Sequence, residues 1–268
     1  RAYDLVTSPE VLGWCDDNEV IGRPFLVQQW IDGVAITDAM PAAYSESIDG
    51  INRLGESLVD NLAELHGVPT DLEALQKLGR PDGFVERQIG RWLSVRKEHG
   101  VRDLPELFAL GEWLGRNVPP SSAPAVIHGD YHLDNTLASK DRPDILAIID
   151  WELATVGDCY LDVALMLMFW GDYRTQDPPA FSALQAVSRR TGVLSRRELA
   201  GRWAEKLGRP LHHMNFYMAF AFWRLAAIIE GAYGLHVAGK LDSDYARGLE
   251  HDVPALLAEA QSAAAGDW

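Results

Sequence analysis

The chain has 268 residues, 47% of them hydrophobic, and a formal charge of −15. That length suits one large domain or two unequal ones with an ample core. The excess of 39 acidic over 24 basic side chains argues against a nucleic-acid partner, which needs clustered Lys and Arg. No run reaches the ~18 uninterrupted apolar residues of a membrane span. Cys15 and Cys159 form neither a metal pattern nor a disulfide framework. With no charged-then-apolar leader, the expected setting is cytoplasmic. An acidic surface is compatible with a cationic substrate and equally with simple solubility.

Residues 2–6 read as the tail of a helix stopped by Ser8-Pro9. Val11–Cys15 and Val20-Ile21 read as short strands around an Asp16-Asp17-Asn18 turn, and residues 25–31 as a strand running into Asp32-Gly33. The character turns helical after Pro41. Ile51, Leu54, Leu58, Leu62 and Leu65 recur at three- and four-residue steps, which predicts a helix over 47–66 stopped by Gly67. Similar patterns predict helices over 84–98 and 104–117. Arg87, Arg91, Arg96 and Lys97 give the first of these a solvated basic face. Residues 119–122, Pro-Pro-Ser-Ser, read as a linker.

The chemistry concentrates between Val126 and Glu152. Two apolar runs, Ala125–Ile127 and residues 145–149, each deliver polar residues at their C-terminal ends: His128-Gly129-Asp130 and Asp150-Trp151-Glu152. The intervening Lys140-Asp141-Arg142-Pro143-Asp144 favours reversal. Two strands would therefore bring Asp130, Asn135 and Asp150 to one edge. Hard oxygen ligands next to a third carboxylate suit Mg²⁺, which leaves positions for phosphate oxygens. Beyond lie a helix over 161–170 that is continuously apolar after Asp162, helices over 181–191 and 195–207 split by Gly192, an aromatic-rich helix over 212–236, and a closing helix over 242–264. Trp170, Tyr173, Trp223 and Tyr233 are aromatic candidates for a substrate wall, or ordinary core.

The five-residue spacing from Asp130 to Asn135 matches the catalytic loop of protein-kinase-like phosphotransferases. His128-Gly129-Asp130, His132, the Asp150 that follows a hydrophobic strand, and Gly157-Asp158 with Asp162 together resemble the aminoglycoside phosphotransferase/choline kinase family. The run IIDWELATVGD at 148–158 is most similar to the bacterial branch associated with acyl-CoA dehydrogenases. The resemblance implies an α+β, protein-kinase-like two-lobe fold: a remnant of a β-rich lobe and hinge over 1–33, and a helical lobe over 34–268. It implies ATP and Mg²⁺ as cofactors, with Asp130 as catalytic base and Asn135 and Asp150 as metal ligands. His132 would approach the phosphates or tie down its loop. Gln28, Gln29, Trp30 and Ile31 would be the adenine-reading hinge; on residues alone they are an ordinary strand. His128 and Asp162 would fix the loop backbone. Asp134 departs from the small residue common in the family. The implied reaction moves a γ-phosphate to the hydroxyl of a small molecule: an aminoglycoside, choline or another amino alcohol, or a hydroxyacyl thioester.

A kinase-like fold also has a glycine-rich loop and a strand lysine before its hinge. No G-x-G-x-x-G precedes Gly33, and Lys77, Lys97, Lys140, Lys206 and Lys240 all follow it. The expectation is that these parts lie upstream in a longer protein. The alternative is a catalytically inactive nucleotide-binding or scaffolding module. A further rival is a metal-dependent phosphoesterase, since Gly129-Asp130-Tyr131-His132 superficially matches a G-D-x-H metal motif; it would need additional His ligands downstream.

Overall fold

The leucine stripe is the backbone of the packing. In the computed structural model, which describes residues 6–75, 77–120, 124–175 and 186–268, it forms helix α2, Ile48–His66. (Within the stretch 18–21 lies a shorter helix, α1, treated below.) The Ser47 side chain accepts the Gly50 N–H at one end of α2, and Gly67 closes the other. Ile51, Leu54, Leu58, Leu62 and Leu65 are all buried. On the same buried face, Gly55 admits the Trp170 ring so closely that a Cβ there would sit 2.7 Å from it.

The N-terminal strands are β1, Val11–Cys15, and β2, Phe25–Gln28, an antiparallel pair. The expected strand at Val20-Ile21 is instead helix α1, Asn18–Ile21. Asp17 caps it by accepting the Glu19 N–H at 2.8 Å, and Gly22 ends it in a left-handed conformation. The local caps outweigh the β-propensity of two branched residues. Residues 2–5 of the expected N-terminal helix tail lie outside the described residues, as do 121 and 122 of the linker.

Helices α3, Phe84–His99, and α4, Pro105–Arg116, match expectation to within a residue at each end. The basic face of α3 is only partly solvated. Arg96 is buried against Gly231, and Arg87 folds back onto the carbonyls of Arg80 and Asp82.

The catalytic stretch uses four short strands. β3, Ala125–Ile127, pairs antiparallel with β6, Thr155–Gly157; β4, Thr136–Ala138, pairs with β5, Ile145–Ile148. The two expected strands thus stand in separate sheets, each with a three-residue partner too short to leave a period. Val34 bridges to Ala138, and Ile148 donates to the Thr7 carbonyl at 2.8 Å, which fastens the N-terminal segment to the β4–β5 hairpin.

Every residue of helix α5, Tyr160–Met168, is buried. Of the helix expected over 181–191, residues 181–185 lie outside the described set, and the rest holds one 3₁₀ turn, Ala186–Ser188. Helices α6, Arg196–Leu207, α7, Met214–Val237, and α8, Asp244–Ala264, complete the body. α7 is long and apolar enough to cross a membrane by composition, yet it packs against α3, α4, α5 and α8 as a core helix. Trp170 and Trp223 are core, donating their indole N–H groups to the carbonyls of Leu194 and Leu107. The architecture is α+β, a small strand-rich region followed by a mainly helical body.

Candidate active site

Strand β3 ends where the chain must turn sharply. Gly129 has φ +85°, and a Cβ on it would lie 2.6 Å from the Leu153 carbonyl oxygen, so the turn requires glycine. The Asp162 carboxylate, on α5, accepts the N–H of His128 at 2.6 Å and of Gly129 at 2.9 Å. The Tyr131 hydroxyl donates to the Leu58 carbonyl at 2.7 Å, which pins the loop to α2. The imidazole of His128 braces the same loop from within. Its Nδ1 accepts the Asp130 N–H at 3.3 Å, which leaves Nε2 to donate to the Ile149 carbonyl at 2.8 Å.

These anchors gather four of the expected residues. Asn135 Nδ2 donates to the Asp130 carbonyl at 2.8 Å and to its carboxylate at 3.0 Å. The Asn135 carbonyl accepts the Ile149 N–H at 2.9 Å, which brings Asp150 alongside. His132 Nε2 stands 3.7 Å from Asp130 and Nδ1 3.9 Å from Asp134, with the ring against Phe169. The histidine therefore lies close to both carboxylates of its own loop. The hinge candidates Gln28, Gln29, Trp30 and Ile31 lie at the end of β2 and just beyond it. The Gln29 N–H is used by the Glu10 carbonyl, the Ile31 carbonyl by Gly33, and the Trp30 side chain is 87% exposed.

Burial raises the Asp130 pKa, but hydrogen bonds from His132 and Asn135 and the charges of His132 and Arg224 outweigh it. The carboxyl ends below its ordinary range, ionised at neutral pH. An ionised, oriented carboxylate can accept a hydrogen bond from an incoming hydroxyl.

Two observations fit Asn135 and Asp150 to a hard cation. Asp150 is a non-glycine residue in the left-handed region, φ 62° and ψ 56°, and its exposed carboxylate makes no cap bond. The Asn135 amide nitrogen is committed to Asp130, which turns its oxygen to the other side. Oxygen donors of this kind and number suit Mg²⁺ completed by phosphate and water. Among the described residues no group of three or more His, Cys, Asp or Glu side chains could hold a metal alone.

Sequence reasoning missed Arg224. It rises from α7, 95 residues beyond the loop, and its guanidinium faces the Gly129 carbonyl at 3.4 and 3.5 Å. A lone arginine in the apolar run from Met214 to Ile229 was the available signal. His66 and Trp203, which hold Asp162 from behind, were also missed. Asp158 turns inward, accepting the Tyr217 hydroxyl at 2.6 Å and the Tyr160 N–H at 3.1 Å.

The chain is similar to several known proteins. Mouse (Mus musculus) acyl-CoA dehydrogenase family member 10 is 28% identical over 244 residues, covering 89% of this chain and 22% of the relative. The chain spans only 22–30% of the length of the curated relatives it matches. A provisionally assigned aminoglycoside phosphotransferase from Ralstonia eutropha superposes with a TM-score of 0.81 at 26% identity, covering 96% of this chain and 78% of that one. The GDP complex of aminoglycoside 2'-phosphotransferase-IIIa shares the fold, with a TM-score of 0.57 at 16% identity over 96% of this chain and 76% of that one. The fold is protein-kinase-like. The model of the phosphotransferase enzyme family matches residues 1–201, and the chain belongs to that family.

Proposed function

We propose that the chain transfers the γ-phosphoryl group of ATP to a hydroxyl group of a small molecule. The observation that carries this reading is the convergence of Asp130, Asn135 and Asp150 through the Asn135 amide and the Ile149–Asn135 bond. Asp130 orients the acceptor hydroxyl and receives its proton as the oxygen–phosphorus bond forms; the bond to the bridging oxygen breaks, and ADP leaves with its electron pair. Asn135 and Asp150 would hold Mg²⁺. When bound, that ion supplies charge neutralisation on the phosphate oxygens.

His128, His132 and Asp162 keep the loop in shape without touching the reacting atoms. The segment 1–33, with Gln28–Ile31, serves the nucleotide side in this reading, and 34–268 the chemistry. A nucleotide is supported by the GDP complex of the neighbouring phosphotransferase. A hydroxyacyl acceptor, as thioester or as the free hydroxy acid, is favoured by the relatives named acyl-CoA dehydrogenase family members, over an amino alcohol or an aminoglycoside. A cytoplasmic setting belongs to the same proposal.

The test is ADP release from ATP and Mg²⁺ with a panel of these three acceptor classes, using Asp150→Ala as control. Turnover that is independent of metal, or undiminished by the substitution, would sink the mechanism.

A further inference from the structure

Beside the loop, between α3 and α7, is a cavity of about 290 Å³ with Gly129 and Asp162 on its lining. Phe84, Trp92 and Phe220 give it apolar walls, and Arg91, Arg224 and Gln88 are polar groups on its lining. Arg224 is short of partners. Its Nε is a buried nitrogen with no hydrogen bond, and its two terminal nitrogens reach only the Gly129 carbonyl, at the limit of hydrogen-bond distance. Arg91 lies over the Trp92 ring with Cζ 5.5 Å from its centroid, and it is solvent-exposed on its other side. Among the described residues neither guanidinium is within ion-pair distance of a carboxylate, and Arg224 feels Asp130 and Asp162 only at longer range.

A guanidinium left with open donors in a cavity is matched by a planar oxyanion, which it can grip with two parallel N–H groups. We propose that this cavity is the acceptor site and that its ligand is an anionic alcohol: a carboxylate held by Arg224 and Arg91, an apolar body against Phe84, Trp92 and Phe220, and a hydroxyl reaching past Gly129 on the lining toward Asp130, the next residue of the loop, which lies outside the cavity wall. Polycationic acceptors such as aminoglycosides meet two positive charges here and are disfavoured. The word acceptor rests on the phosphotransfer reading above; the anion site itself does not.

The experiment is calorimetric titration of the full chain, without nucleotide, with 3-hydroxyoctanoate and 3-phenyllactate, each against its primary amide. The acids are expected to bind at least tenfold tighter than the amides. Arg224→Gln and, separately, Arg91→Gln at the exposed rim should each shrink that ratio, and the second variant keeps the test open if the first fails to fold. Equal binding of acid and amide, binding of neither, or a ratio unchanged in both variants overturns the site. Acids that bind but are never phosphorylated would uphold the anion site and remove the kinase reading. Efficient phosphorylation of neutral alcohols with no preference for acids would do the reverse.

Discussion

The His66 imidazole and the Asp162 carboxylate meet at 3.3 Å, with neither side chain reaching solvent. The Trp203 indole, which can only donate, gives its N–H to His66 Nδ1 at 3.0 Å. His66 Nε2 is therefore the donor to Asp162, and the carboxylate in turn holds the His128 and Gly129 amides. A chain of hydrogen bonds runs from α6 through α2 and α5 to the catalytic loop.

Asp162→Asn should break that chain, because an amide can accept from one side only and presents a donor to the other. The expected cost is about 3 kcal/mol, since one member of a buried, charge-assisted network is lost. Urea unfolding would measure it. A change within about 0.5 kcal/mol would mean that the loop is held by other contacts.

Asp130→Asn should leave the fold intact and lower kcat by about 10²–10⁴-fold. Because its folded pKa is depressed, the group contributes stability above its unfolded value, and that contribution is lost only as pH falls through the folded value. Activity from about pH 5 to about pH 8 should therefore show no acidic limb that belongs to Asp130. A pH profile of kcat/KM tests this, and a limb near pH 6 that shifts when Arg224 is replaced would contradict it.

The backbone at Asp150 separates stability from chemistry. Asp150→Gly should leave stability unchanged or slightly raised, because glycine adopts the left-handed region freely. Asp150→Val should cost about 1–2 kcal/mol, the penalty of a branched side chain there. Both should abolish Mg²⁺-dependent turnover. Thermal melts and ADP release on the same preparations would show whether the two effects part company.

Asp60 joins α2 to α6 through Arg202, at 2.7 and 3.0 Å, and Lys206, at 2.8 Å. Burial raises its pKa, but hydrogen bonds and charge from the two cations more than reverse that. The network stabilises above the unfolded carboxyl pKa and is lost as pH falls through the lower folded value. Its partial exposure limits Asp60→Asn to about 1 kcal/mol at neutral pH. The gap between variant and parent should close in acid and narrow in high salt. Denaturant midpoints across that range would reveal it.

The parts of the fold that were legible before the structure are those with local causes. The α2 stripe, its Ser47 cap and its Gly67 stop lie within one stretch of chain, and so does the spacing of Asp130 and Asn135. What could not be read depends on distant partners. β4 and β6 are three residues long and exist because β5 and β3 pair with them. Arg96 was assigned to solvent because nothing near it in sequence shows that Gly231 packs over it. The strand expected at Val20-Ile21 failed for the opposite reason: the caps Asp17 and Gly22 were in view, and branched residues were given more weight than they hold in a four-residue element.

Gly129 sets a boundary on how this site can change. A library randomised at that codon and screened only for folded protein should return glycine, since any side chain there meets the Leu153 carbonyl oxygen. The residues on either side of the turn are free of that restriction. Selection acting on this loop can alter the groups it carries, while the point from which they fan out stays put.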